Sequence, residues 1–202
     1  MSALSKLRDE AADCRACDLW KTGTQTVFGE GKRASTVMFI GEQPGDKEDL
    51  AGRPFVGPAG ALLDKALDEA GIDRTKVYVT NVVKHFKWEP RGKRRIHKKP
   101  NAVEINACRP WLDAEIRLVK PRAIVCLGST AARAVIGPKF RVSVQRGEFV
   151  KSPLAPLVTA TVHPSSILRA PTDEGRRAET QRFVEDLKKI RAAIEAELAR
   201  TA

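Results

Sequence analysis

The chain has 202 residues, of which 42% are hydrophobic and 30% charged, and its formal net charge at pH 7 is +11. This length fits one folded domain, expected over residues 1–202, with a sizeable core. No apolar run approaches the roughly 18 residues that a membrane helix needs, and the N-terminus lacks the apolar segment of a signal peptide. We therefore expect a monomer without membrane contact, in the cytoplasm and near the nucleoid, where thiols stay reduced.

Helical and strand patterns alternate along the chain. In chain order they predict a helix at 3–13, a strand at 37–40, a helix at 58–71, a strand at 76–85, a helix from about 101 to 119, a strand then a helix within 122–137, a strand at 156–166 and a long C-terminal helix. Pro110 is expected to divide its helix. The C-terminal helix is expected to bury one face that extends to Leu198.

This alternation predicts the fold class α/β, a three-layer α/β/α sandwich around a central four-stranded, mainly parallel sheet. In such sheets ligands bind where the carboxyl ends of the strands meet their loops. The first strand ends at Gly41 and turns through Pro44 and Gly45, the second passes Asn81, and the fourth ends at His163. These segments are expected to meet in one crevice.

The positive charge is concentrated in a basic loop, residues 84–100, and within it residues 92–100 have no helix or strand pattern. From Lys84 to Lys99 there are eight Lys or Arg residues and a single acidic residue, Glu89. A solvated, flexible loop would have this composition. Clustered cations also neutralise phosphates and release counterions on binding nucleic acid, and this second interpretation is slightly favoured.

The four cysteines allow more than one role. Cys14 and Cys17 form a C-x-x-C pair, whereas Cys108 and Cys126 stand alone. A thioredoxin-like redox pair is rejected because this pair follows a predicted helix rather than a strand. Burial as a small hydrophobe suits Cys126 best. If all four thiolates meet, they would bind a structural zinc or an iron–sulfur cluster, and the spacing does not separate these metals.

Several segments, in this order, resemble the iron–sulfur branch of the uracil-DNA glycosylase superfamily. They are GEQPG (41–45), GRPFVGPAG (52–60), TNVVKH (80–85) and HPSSILR (163–169), together with the cysteine pattern. The loop GKRRIH (92–97) narrows the resemblance to the X-type members, known as UdgX. In these proteins an inserted loop carries a histidine that bonds to the abasic sugar left after uracil is removed.

The resemblance implies excision of uracil from DNA, with single strands preferred, and uracil as the leaving group. It also implies a [4Fe–4S] cluster whose ligands are Cys14, Cys17, Cys108 and Cys126, with zinc as the less favoured alternative. Phe55 resembles the residue that stacks on the base and Asn81 the residue that recognises the uracil edge, since an amide offers both a donor and an acceptor. The loop around Phe55 is rich in Gly and Pro, so its backbone can approach a ligand closely, and backbone amides of the turn from Gly41 to Gly45 are alternative donors to uracil O2.

Breaking the glycosidic bond leaves negative charge on uracil O2 and positive charge on the sugar, so both must be stabilised. His163 resembles the histidine that donates to O2. Glu42 would face the sugar cation or orient the attacking group, and Gln43 would bind uracil or position the partner of Glu42. The residues expected to contact DNA are Lys93, Arg94, Arg95, Ser165, Ser166 and Arg169, with Ile167 or Leu168 as an apolar wedge.

His97 would capture the cationic sugar in place of water and leave a stable C–N bond. Attack requires the neutral imidazole, which the neighbouring cations are expected to favour. The sequence alone gives the alternative of an ordinary histidine in a solvated loop. Two other functions stay open: a glycosylase that turns over normally, and a non-catalytic DNA-damage sensor with a structural metal.

Overall fold

The computed structural model describes residues 2–201, with the side chain of residue 201 left aside. Its elements in chain order are α1 (Ala3–Ala12), β1 (Val37–Gly41), α2 (Asp46–Ala51), α3 (Pro58–Ala70), β2 (Val77–Asn81), β3 (Trp88–Arg91), β4 (Arg94–His97), α4 (Ala102–Val119), β5 (Ala123–Leu127), α5 (Ser129–Val135), α6 (Val142–Gln145), β6 (Leu157–Thr161), α7 (Pro164–Leu168) and α8 (Asp173–Thr201). Short 3₁₀ helices lie at Asp18–Lys21 and Arg74–Lys76.

The central sheet has four parallel strands in the order β2-β1-β5-β6. Val37 at the start of β1 stands in register with Val77 on one side and with Ala123 on the other. Almost every strand residue is buried, which is why the strands are nearly continuous apolar runs rather than alternating ones. The predicted four-stranded sheet is confirmed.

Helices cover both faces of the sheet. Alternate residues of β1 point to opposite sides: Met38 packs in a core with Leu112 of α4, whereas Phe39 packs in a second core with Leu63 of α3 and Phe183 of α8. The predicted three-layer α/β/α sandwich is therefore confirmed. Among residues 2–201 there is no helix with the length and apolar character needed to cross a membrane.

Three element predictions need correction. Pro110 lies inside α4 without dividing it, because the buried face of the helix, which includes Cys108 and Leu112, continues across the proline. The second strand ends at Asn81, because the next residues cross the end of β1, where the Val82 N–H donates to the Gly41 carbonyl at 2.9 Å. The buried face of α8 stops at Ile194, and Leu198 is 41% exposed.

The basic loop is the largest correction. Strands β3 and β4 form an antiparallel hairpin in which Trp88 pairs with His97 and Arg91 with Arg94. Gly92 turns the chain with φ of 59°, a conformation that favours glycine. Because half of the residues of β3 and β4 are charged, the alternation that normally identifies a strand is hidden in the sequence.

Candidate active site

A cavity of about 810 Å³ lies where β1, β2 and β6 end. Its lining includes the loop that follows β1, Asn81 at the end of β2, and His163 just beyond β6, so the predicted crevice is present. The hairpin contributes His97 to the same wall, and the loop before α3 contributes Phe55. Side chains far apart in sequence therefore face a single space.

The floor of the cavity is fitted to a flat ligand. Asn81 is 2% exposed, and among the described residues its Oδ1 has no hydrogen-bond partner. Gly41 lies directly against this amide: a β-carbon at position 41 would collide with Asn81 Oδ1 and lie 2.9 Å from the Phe55 ring. A glycine is thus required here, and the Asn81 oxygen lies beside it, buried and without a partner, in a residue that lines the cavity.

Phe55 is held in an unusual backbone conformation. Its φ of 57° is left-handed, which costs energy for a residue with a side chain. Gly60 permits the conformation, since a β-carbon there would collide with the Phe55 carbonyl. Glu48 fixes the loops on both sides by accepting from the Gly57 N–H at 2.7 Å and the Gly45 N–H at 3.1 Å. Gly45 therefore serves mainly as the cap of α2.

His163 is a neutral hydrogen-bond donor toward the cavity. The Ser165 N–H donates to His163 Nδ1 at 3.1 Å, so the ring proton lies on Nε2. Burial lowers the pKa of His163 to about 4. Nε2 faces Gly41, with 3.5 Å between it and a β-carbon placed there. The His163 ring stacks beside Phe55 with 6.1 Å between centroids.

Glu42 and His97 are in direct contact, with 3.1 Å between Glu42 Oε1 and His97 Nε2. Burial tends to raise the pKa of the Glu42 carboxyl, but the contact with His97 and the nearby Thr130 hydroxyl outweigh it, and the pKa is lowered. Glu42 is therefore a carboxylate at neutral pH. The charge nearest to the His97 ring is thus an anion, whereas the sequence predicted an environment of cations.

The hairpin is fastened to the domain by Arg95, which the sequence assigned to DNA binding. The Arg95 guanidinium donates to Asp46 and to Asp49, both at 2.6 Å, and Asp49 is fully buried. It also lies over the rings of Phe86 and Trp88, 5.5 and 5.6 Å from their centroids. These contacts direct Arg95 inward, so its expected role in DNA contact is corrected to that of an anchor.

Gln43 is a second anchor of the hairpin. Its amide nitrogen donates to the carbonyls of Lys87 and Lys98, both at 3.1 Å, and its oxygen accepts from the Lys87 N–H at 3.2 Å. Because both ends of the amide are occupied, Gln43 closes the base of the hairpin. The expected direct role in uracil binding or catalysis does not fit this geometry.

Several of the predicted DNA contacts are exposed near the cavity. Lys93 and Arg94 lie at the tip of the hairpin, and Arg169 follows α7 at the cavity wall. Leu168 is 37% exposed and is the available wedge, whereas Ile167 is 1% exposed and belongs to the core. Arg169 thus lines the cavity, whereas Lys93, Arg94 and Leu168 are exposed outside its lining.

The two serines of the same segment, Ser165 and Ser166, support the turn around His163. The Ser165 hydroxyl lies 2.8 Å from His163 Nδ1, and the Ser166 hydroxyl donates to the His163 carbonyl at 2.7 Å. Both line the cavity. Their first effect is to fix the orientation of the imidazole, and contact with phosphate stays a prediction.

The cysteines fit a thiolate metal site only in part. Burial raises the pKa of the Cys108 thiol to about 11. Cys14 and Cys17 are close enough for their charges to add to this increase. The Trp111 Nε1–H donates to Cys14 Sγ at 3.1 Å, and the Lys84 N–H donates to Cys108 Sγ at 3.2 Å, as is common for metal thiolates. Residues 2–201 nevertheless contain no group of three or more potential ligands at metal-binding distances.

Cys126 does not join the other three. It lies in the middle of β5, fully buried in the apolar core. Burial alone raises its thiol pKa, without a contribution from another cysteine. The expected four-cysteine cluster therefore does not fit this structure, and Cys126 follows the alternative of a small buried hydrophobe.

Three further residues that shape the site were not identified from the sequence. Asp49 and Glu48 lie in a short acidic helix whose composition suggests solvent exposure, and Thr130 is the second residue of α5. Asp46 and Asp49 are three residues apart and share one face of α2. That spacing, opposite a strongly basic segment, is the one signal from which the anchor was predictable.

The fold and the cavity together define an α/β protein whose site, at the carboxyl end of a parallel sheet, presents an aromatic ring, an amide and a neutral imidazole. The chain belongs to the uracil DNA glycosylase superfamily, whose family model matches residues 28–188.

Similar proteins agree with this family. A type-4 uracil-DNA glycosylase of Thermotoga maritima is 39% identical over 185 residues, covering 91% of each chain. One of Sulfurisphaera tokodaii is 36% identical over 199 residues, covering 95% of this chain and 84% of the relative. A type-5 uracil-DNA glycosylase of Pyrobaculum aerophilum is 30% identical, covering 81% of this chain and 76% of the relative.

Proposed function

We propose that the protein excises uracil from single-stranded DNA and that His97 then bonds to C1′ of the abasic sugar. One observation supports the proposed bond between His97 and C1′. The hairpin holds the His97 ring in the wall of the cavity that contains Asn81 and Phe55, in contact with Glu42. A histidine on a free loop would have neither the position nor the partner.

Base recognition precedes bond cleavage. A flipped uracil would stack on Phe55 and meet the Asn81 amide, whose oxygen accepts from the base N3–H. As the C1′–N1 bond breaks, its electron pair moves into the uracil ring and negative charge develops on O2. His163 Nε2–H is positioned as the donor to that oxygen and needs no change of protonation to act.

Capture follows on the sugar side. The Glu42 carboxylate faces the cationic sugar and the His97 ring, which lowers the energy of both positive charges as they form. A lone pair of the imidazole forms the C1′–N bond, and the proton on the other ring nitrogen is then lost to water or to the Glu42 carboxylate. Proximity favours the ring over solvent because it is already held in the cavity wall.

A denaturing gel tests this proposal. The protein is mixed with a single-stranded oligonucleotide that contains one uracil, and released uracil is measured in the same samples. We expect a slow, heat-stable band from the wild type, loss of the band but not of uracil release from His97→Ala, and loss of both from His163→Ala. Mass spectrometry then locates the sugar adduct. A band that persists in His97→Ala refutes capture by this residue.

We also propose an iron–sulfur cluster for which Cys14, Cys17 and Cys108 supply thiolates. Its support is the resemblance of the sequence to the iron–sulfur branch, together with the N–H donors directed at Cys14 and Cys108. The cluster would join the segment after α1, which holds Cys14 and Cys17, to α4, which holds Cys108. Broad absorbance near 400 nm and bound iron are expected, and a colourless protein that contains zinc would refute this assignment.

A glycosylase that turns over normally is the second candidate, favoured by the similarity to type-4 uracil-DNA glycosylases over most of the chain. It predicts many uracils released per protein molecule, whereas capture predicts a single one. A sensor without catalysis predicts none. Uracil counted against active protein therefore separates all three.

A further inference from the structure

A buried ion pair lies directly behind the base-binding wall. The Lys84 ammonium is 2.5 Å from Glu115 Oε2, and the exposed fractions of the two side chains are 1% and 0%. Fully buried ion pairs are costly because both charges lose water, and hydrophobic replacements are often as stable. Overall stability therefore does not explain why this pair is present.

The pair is completed by neutral groups. Glu115 accepts from the Tyr78 hydroxyl at 2.9 Å, the Gly29 N–H at 3.0 Å and the Thr80 hydroxyl at 2.9 Å. The ammonium has a separate contact with the Thr80 oxygen at 2.6 Å. Glu115 in α4 is thus fixed to β2, and Lys84 is held against it with a single orientation.

The third contact of the ammonium points toward the site. Lys84 Nζ donates to the main-chain carbonyl of Asn81 at 2.7 Å. Asn81 is the last residue of β2, and β2 is an edge strand of the sheet, so fewer neighbours hold it than would hold a central strand. From the other side, the Lys84 N–H is anchored to Cys108 Sγ at 3.2 Å.

We infer that Lys84 is a positioning residue for base recognition, which acts by holding the Asn81 backbone so that its side-chain amide faces the bound uracil. The inference rests on the proposed function. The Asn81 amide is confined between Gly41 and the cavity, so a small displacement of its main chain changes the direction of the amide. Displacements of about 1 Å at such groups reduce rates by about 100-fold.

A double-mutant cycle tests the inference. Uracil release under single-turnover conditions is measured for wild type, Lys84→Met, Asn81→Ala and the double variant. We expect Lys84→Met to lower the rate about 10- to 100-fold in the wild-type background and to have little effect once Asn81 is alanine, because coupled residues are not additive. A merely structural lysine would lower both backgrounds by the same factor, which overturns the inference.

A second variant controls for misfolding. Lys84→Met leaves the Glu115 carboxylate buried without a counter-ion, which by itself could unfold the protein. In Lys84→Met/Glu115→Gln the charge is removed and the Tyr78 and Gly29 donors keep an acceptor. We expect this variant to unfold near the wild-type temperature. We also expect it to release uracil more slowly than wild type when Asn81 is present, with little further effect when Asn81 is alanine. Full uracil release by it would overturn the inference. Failure of the proposed function looks different, because the wild type itself would then release no uracil.

Discussion

Replacing Arg95 with alanine tests whether the hairpin must be fastened for His97 to capture the sugar. Arg95 is the side chain that joins β4 to the buried Asp49 and to Asp46. Its loss leaves the chemical groups of the cavity in place and releases only the strand that carries His97. We expect the rate of adduct formation to fall while uracil is still released.

The free-energy cost of Arg95→Ala follows from the burial of the ion pair between Arg95 and Asp49. Removing one partner of a buried ion pair costs about 3–5 kcal/mol. Asp49 retains the N–H and hydroxyl of Thr24 as donors, and Asp46 is 49% exposed, so we expect about 2 kcal/mol from this variant. An isolated hairpin is only marginally stable, and about 2 kcal/mol lowers the equilibrium constant for docking about 30-fold, so the docked population falls by up to that factor.

The assay follows adduct and free uracil in the same samples at saturating DNA. Arg94→Ala is the matched control, because Arg94 is the neighbouring exposed cation on the same strand. We expect adduct formation up to about 30-fold slower for Arg95→Ala and close to wild type for Arg94→Ala. An equal loss in both variants would mean that Arg95 acts through DNA contact, and the anchoring argument would be wrong.

Three further predictions follow from the site. Between pH 6.5 and about 4, His163 takes up a proton in the unfolded protein but not in the folded one, so acidification lowers the free energy of unfolding. His163→Asn should weaken this pH dependence, measured by denaturant titrations at several pH values. An unchanged slope of unfolding free energy against pH would refute the assignment. Gly41→Ala places a methyl group against the amide of Asn81 and should slow uracil release about 100-fold, about 3 kcal/mol; near-normal release would show that the base lies elsewhere. Cys126→Ala should retain iron and its absorbance while Cys108→Ala loses both, and iron loss from Cys126→Ala would restore the four-cysteine site.

The sheet and its crevice were predictable because their signals are local. Buried parallel strands are short apolar runs, and each ends in turn residues that identify the ligand edge, as at Gly41 and Asn81. The hairpin was not predictable in this way. Its stability depends on Arg95 reaching Asp49, residues 46 positions apart in sequence, and no local pattern contains that contact.

The direction of individual side chains also could not be predicted from the sequence. A charged residue in a basic segment points outward or inward according to the partner that the fold provides, so Arg94 and Arg95 are adjacent yet have different environments. Gln43 has a suitable amide for a base, but the hairpin occupies it. Cys126 shares its residue type and one core cluster with Cys108, but it is held within β5, whereas Cys108 lies in α4 and the other two lie in the loop after α1.

The hairpin determines which cations of the basic loop are paired with acidic residues and which are exposed. Of the eight cations between Lys84 and Lys99, four form ion pairs with acidic residues: Lys84, Lys87, Arg95 and Lys98. Lys84, Lys87 and Arg95 are largely buried in these pairs, which connect β2, α4 and the hairpin, whereas Lys98 stays at the surface. The exposed cations Lys93 and Arg94 lie at the turn, on the same hairpin that holds His97 in the cavity wall. One segment therefore carries both the exposed cations that we propose to attract DNA and the imidazole that we propose to react.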